Sequence, residues 1–232
     1  MRLYHYMDAD AYEAMIRTGR LVGSPAHSTY PYLAFAYGWL ADVMRSRIGP
    51  APEGSNETWP VFTWAQRAGQ SPLAYDSKHN RPRSEDPNDA GFLVGFDVPD
   101  GAYLLSDFDD WHYVMTNSFL PSGGGESDEA DVENNRFKEL CELHGCNPYC
   151  DFDEEPIIPE VQSARRVNWK RIVDHPYDSG SVQATVWELK AEWVFLVRAR
   201  RYHAIKGMAN PRRKGRAKAS KRTAPVAALT AP

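Results

Sequence analysis

The stretch SVQATVWELKAEWVFLVRAR, residues 181–200, constrains the fold more than any other part of this chain. Its apolar residues recur with period 2, as in an extended strand. Trp187, Leu189, Ala191, Trp193, Phe195 and Val197 fall on one face, which is therefore expected to be buried. The opposite face starts apolar at Val182, Ala184 and Val186, carries Glu188, Lys190 and Glu192, and turns apolar again at Val194 and Leu196. A carboxylate at the point where a strand face changes from dry to wet can line a cleft, where partial burial tunes it as an acid or lets it hold a ligand hydroxyl. It can equally belong to a solvated patch in which Glu188 pairs with Lys190. Both readings stay open.

Upstream, residues 2–7 (RLYHYM) form a strand candidate in which His5 lies on the same side as Leu3. Asp10 followed by Glu13 has capping-box spacing for a helix over residues 11–18, which Gly19 ends. Thr29 and Pro31 open a second helix over residues 31–48. Its stripe is Leu33, Ala36, Leu40, Val43 and Met44, with Trp39 beside it, and Arg45 and Arg47 suit its C-terminal dipole. WPVFTWAQ, GFLVGFDVP and AYLLSDF read as further strands, separated by a surface loop over residues 68–90 and a tight Pro99-Asp100-Gly101 turn. A short helix follows Asp109-Asp110. Residues 121–160 form an acidic insertion with a helix around residues 134–143, and VNWKRIVD is a last short helix. Short helices early and antiparallel strands later indicate an α+β fold, with residues 1–205 as a single domain.

The chain of 232 residues has a net charge of −4, which conceals an asymmetry. From residue 201 onward there are nine Lys/Arg and no acids, so residues 1–200 hold 18 basic and 31 acidic groups, a net −13. Residues 206–232 are too polar to bury a core of their own and read as a disordered basic tail. Such a tail can grip nucleic-acid phosphates without sequence preference, or merely balance charge. There is no apolar run long enough for a membrane span, and the acidic, weakly apolar start argues against a secretory signal. Three cysteines within residues 141–150 do not describe a disulfide framework, so the cytoplasm is the expected compartment.

Three clusters invite chemistry. His5, among aromatic residues, can bond a ribose hydroxyl or act as acid/base, or be a satisfied structural residue. LLSDFDDWH crowds Asp107, Asp109, Asp110 and His112 at a strand end. A hard cation is one reading. The simpler one is that Asp109 or Asp110 caps the helix while Asp107 binds backbone N–H groups. Cys141, His144, Cys146 and Cys150 supply four zinc-type ligands, but without paired C-x2-C knuckles, and no metal is assigned.

The series AYGWLADVMRSRIGPAPEG, WPVFTWAQ, YLLSDFDDWHYVMTNSFLP and SVQATVWELKAEWV resembles a bacterial and phage family known only as a domain of unknown function. LSDFDDWH and QATVWEL carry most of that likeness. A more distant layout, an opening LYHY strand, a helix ending at Gly19-Arg20-Leu21 and a late strand with one Glu, is similar to the ADP-ribosyltransferase superfamily. That resemblance implies a split antiparallel sheet with helices packed on it, NAD as substrate, His5 at the nicotinamide ribose and Glu188 at the oxocarbenium-like transition state. The middle role, holding nicotinamide, has Tyr30, Tyr32 and Tyr37 as candidates, with Tyr4 and Gln183 as further NAD contacts. It also implies toxin or phage-conflict biology, with a protein or nucleic acid as the modified target. The other class that fits the sequence is a non-catalytic binding or accessory protein whose tail contacts nucleic acid.

Overall fold

A computed structural model of the chain describes residues 1–25, 33–52, 59–79, 91–122, 127–148, 158–174 and 180–200. Within them, β1 (Arg2–Asp8) runs into α1 (Ala9–Thr18) and β2 (Arg20–Val22), followed by α2 (Ala34–Ile48), β3 (Val61–Gln66) and α3 (Pro72–His79). Then come β4 (Gly91–Asp97), β5 (Leu104–Asp107), α4 (Phe108–Met115), α5 (Asp128–Leu143), α6 (Pro159–Trp169) and α7 (Arg171–Asp174). The chain closes with β6 (Val182–Val186), β7 (Glu188–Lys190) and β8 (Val194–Arg200). The fold is α+β. Among the described residues, β5-β6-β3-β1-β4-β8 form a six-stranded sheet in which every pairing is antiparallel, and β2-β7 form a second, two-stranded one.

Both faces of the large sheet are covered, as the all-buried VQATV of β6 requires. One face packs Leu3, Met7, Val94, Phe96, Ala184 and Val186 against Met15 of α1 and Leu189. The other meets α2, α4, α6 and α7 through Trp39, Leu40, Met44, Trp111, Trp169 and Ile172. A third, smaller cluster joins Phe137 and Cys141 of α5 to Val161 of α6. Gly91 allows β1 and β4 to touch, since a Cβ there would lie 2.4 Å from the Met7 carbonyl oxygen.

The stretch 181–200 is not one strand. Trp187 is drawn out of line, its ring buried against α2 and its Nε1 donating to the Gly49 carbonyl at 3.0 Å. The chain bends there, and β7 leaves the large sheet to pair with β2. A 3₁₀ turn, Ala191–Trp193, then carries the chain to the other edge, where β8 pairs with β4. The bend resets the alternation. Trp187 and Leu189 are buried as expected, whereas Phe195 and Val197 are 37% and 42% exposed.

Several helices start at other residues than their sequence patterns predict. α1 begins at Ala9 and is capped by Asp8, whose Oδ1 accepts from the Ala11 N–H at 2.7 Å, so Asp10 lies in the first turn. Gly19 at φ 81° ends it as expected. α4 is capped by Asp107 alone, which accepts from the N–H groups of Asp109 and Asp110; those two acids favour the positive helix end without capping it. α5 begins at Asp128 behind a Ser127 cap, earlier than residues 134–143, and α6 begins at Pro159, earlier than residues 167–174. Residues 72–79 of the expected loop are helical. Thr29 and Pro31, expected to open α2, and the basic tail lie outside the described residues.

Candidate functional site

Register places one polar and aromatic row across the centre of the large sheet. Tyr4 stands opposite Trp64, Trp64 opposite Gln183, and Gln183 opposite Ser106. Directly paired residues of antiparallel strands share a face, so these four side chains form one surface drawn from four strands. On the other side of Tyr4 the row continues with Gly95, where a Cβ would meet the Phe195 ring at 2.7 Å. The absent side chain gives the Phe195 ring room beside Tyr4, which it meets edge-on at 5.9 Å.

The row ends in two unmatched polar groups. Ser106 is 1% and Gln183 7% exposed, and neither Ser106 Oγ nor Gln183 Oε1 has a hydrogen-bond partner among the described residues. A buried acceptor left unpaired costs about 1–3 kcal/mol, so two side by side mark a position where a ligand can supply the missing bonds. Above them, Trp64 packs on Phe108 at 4.8 Å, and Phe108 meets His112 edge-on at 5.1 Å. Arg67 completes the surface. Its guanidinium lies 4.9 Å from the Trp64 ring centre, 4.3 Å from that of Tyr75 and 5.9 Å from that of Tyr6. It forms no ion pair among the described residues. A tight bridge between Arg67 and Gln70, with Gly69 N–H donating to the Gly180 carbonyl at 2.8 Å, holds that cation in place. Aromatic faces, a cation and two buried hydrogen-bonding groups suit a planar ring that carries an amide and an anionic group.

The other sequence-derived candidates are distributed elsewhere. His5 alternates with Tyr4 and so lies on the Leu3 face. Its Nδ1 is 2.7 Å from the Phe62 carbonyl, which makes Nδ1 the protonated nitrogen and leaves Nε2 as an acceptor. Burial pushes its pKa below 6.5, against the opposing pull of that carbonyl and of Asp8. Glu188 lies in the small sheet opposite Val22, with Arg20 at 3.2 Å and Lys190 at 3.5 Å. Its side chain is 12% exposed, and its ion pairs are with Arg20 and Lys190, whereas the His5 ring bonds the Phe62 carbonyl. Tyr37 stacks on Trp59 at 4.5 Å and meets Phe62 and Trp111 edge-on. Tyr30 and Tyr32 lie outside the described residues, as does Cys150 of the zinc candidate. Cys141 is buried in the core between α5 and α6, and no metal-binding group is found among the described residues.

Of the sequence candidates, then, the fold unites Tyr4 and Gln183. Trp64, Arg67 and Ser106 were missed, because only strand register brings them beside the other two. A family model for a domain of unknown function, DUF3841, matches residues 2–195. The chain belongs to the DUF3841 family. No curated protein and no solved structure matches it. The DUF3841 match spans all the strands that contribute to the row, from Tyr4 through Gln183. No described helix is long and apolar enough to cross a membrane.

Proposed function

We propose that this DUF3841 protein binds NAD on the Tyr4-Trp64-Gln183-Ser106 face and acts as an ADP-ribosyltransferase-like enzyme. The observation that carries the reading is the pair of buried oxygens of Gln183 and Ser106, unmatched among the described residues, beneath aromatic rings and next to Arg67, which has no ion pair among those residues. In this reading the nicotinamide ring lies against Trp64 and Tyr4. Its carboxamide N–H donates to Gln183 Oε1, Ser106 Oγ bonds the same group, and Arg67 faces the pyrophosphate. Transfer breaks the bond between the ribose C1′ and the nicotinamide nitrogen, whose electron pair leaves with nicotinamide. A nucleophile of a protein or nucleic-acid target then bonds C1′. A carboxylate near the cationic sugar lowers that barrier without a metal. The ADP-ribosyltransferase likeness gives this role to Glu188 and the ribose to His5, in a toxin or phage-conflict setting, but Glu188 stands on the small sheet and His5 on the opposite sheet face from the row, so the row itself supports only the nicotinamide end of this reading.

A non-catalytic NAD-binding protein is the second reading, and a specific observation favours it: Glu188 is held by two cations on the small sheet, while His5 stands on the other face from Tyr4. Incubation with NAD labelled in its adenylate half separates the two. Label transferred to a lysate component or released as ADP-ribose, and lost in Glu188→Gln, establishes the enzyme. Saturable binding that Gln183→Ala abolishes, with no turnover, establishes the binder. Absence of NAD binding in the intact protein refutes both.

A further inference from the structure

A second set of free polar groups lies away from the sheet row, between α2 and α6. The groove there has a volume of about 640 Å³, within the usual range for small-molecule sites. The spacing of its walls is helical. Ser163 and Arg166 follow one face of α6, continued by Lys170 at its C-cap, and Asp42 and Ser46 follow one face of α2. Arg166 and Lys170 form no ion pair among the described residues, whereas the neighbouring Arg47 is already held by Asp174. Two unpaired cations with the Ser46 and Ser163 hydroxyls suit a phosphate.

At Trp39, Asp42 and Arg166 the groove runs into a second cleft of about 410 Å³, lined by the stacked pair Tyr37 and Trp59. Gly38 lies in its wall. A glycine inside a helix is unfavourable relative to alanine, and here a Cβ would meet nothing within 4 Å, so packing does not require it. Its effect is to keep the cleft open. Asp42 stands at the junction, lining both clefts; its Oδ1 already accepts from Arg45 at 2.7 Å, and its other oxygen can accept bonds from a ribose diol.

We propose that the joined clefts bind a nucleoside monophosphate, with its phosphate at Arg166 and Lys170, its ribose diol at Asp42 and its base against Tyr37 and Trp59. Lys170, Ser46 and Ser163 line the first cleft alone, Asp42 and Arg166 stand at the junction and the aromatic pair lines the second cleft, which fits phosphate, ribose and base in that order. This site is separate from the NAD reading of the sheet row and does not depend on it.

Calorimetric titration of the full chain with AMP, adenosine and inorganic phosphate tests the assignment. AMP is expected to bind more tightly than either fragment. Its affinity should fall tenfold or more in Arg166→Ala/Lys170→Ala and in Gly38→Phe, which puts a ring on the cleft wall at a position where a Cβ meets nothing within 4 Å. Gln183→Ala and Arg67→Ala should leave it unchanged, while Gln183→Ala is the variant that removes NAD under the separate reading. Circular dichroism and melting curves verify that each variant is folded. AMP binding no tighter than inorganic phosphate, or unaltered in a folded Gly38→Phe protein, overturns the proposal. So does loss of AMP in Arg67→Ala alone.

Discussion

Glu133 offers a sharp test of how the acidic α5 is attached to the rest of the fold. Its carboxylate receives both arms of the Arg171 guanidinium, at 2.7 and 2.8 Å, and also the N–H and hydroxyl of Ser122. Arg171 first and Ser122 second hold the Glu133 carboxyl well below its ordinary 4.5, at about 2. A lowering of that size is equivalent to about 3 kcal/mol if wholly expressed. The two side chains are 28% and 26% exposed, so solvent screening reduces the expected contribution to about 1–2 kcal/mol. Because the folded pKa lies below the unfolded one, this stability is complete above about pH 5 and is lost as pH falls toward 2. Glu133→Gln removes the charge while keeping the shape. Urea denaturation at pH 7 should therefore show the variant about 1–2 kcal/mol less stable, with the gap closing by pH 2.5. A gap of the same size at both pH values would refute the electrostatic argument and leave only a change in packing.

Gly91→Ala places a methyl 2.4 Å from the Met7 carbonyl and should lower stability by about 1–3 kcal/mol, read as a drop in melting temperature. Ser106→Ala removes an unmatched buried hydroxyl and should leave stability equal or slightly higher in the absence of ligand; a loss above about 1 kcal/mol would mean that the hydroxyl already has a partner. His5 should titrate below 6.5 in an NMR pH series, and folding should lose stability as pH drops beneath that value, because the unfolded imidazole takes up a proton that the buried one resists. Trp169→Ala should cost about 3–5 kcal/mol by chemical denaturation, since that ring is fully buried and its Nε1 donates to the Ser118 carbonyl at 2.7 Å.

Local signals read correctly where the chain decides matters locally. RLYHYM, VFTWAQ and GFLVGFD read as strands because each is a short run rich in apolar and aromatic residues. Gly19 ends α1 because its left-handed backbone suits glycine. The same reasoning failed at residues 181–200, where a period-2 pattern runs through a bend imposed by Trp187 reaching α2. Helix caps shifted for a similar reason: Asp8 and Asp10, or Asp107 and Asp109, are equally good residues, and the strand that precedes each helix decides which one caps it. Tyr4 and Gln183 could be singled out by residue type. That Trp64 lies between them, with Ser106 beyond, depends on pairing among β1, β3, β6 and β5, which no local window contains.

The central claim is that the Tyr4-Trp64-Gln183-Ser106 row receives nicotinamide. Its most direct test is an NMR titration of isotopically labelled protein with nicotinamide, following the Trp64 indole N–H and the Gln183 side-chain amide. The account predicts saturable shifts at both, reduced by Ser106→Ala, with the Trp169 indole unmoved. Shifts confined to Arg20 and Lys190 beside Glu188, or none at Trp64 and Gln183 at saturating nicotinamide, would contradict it.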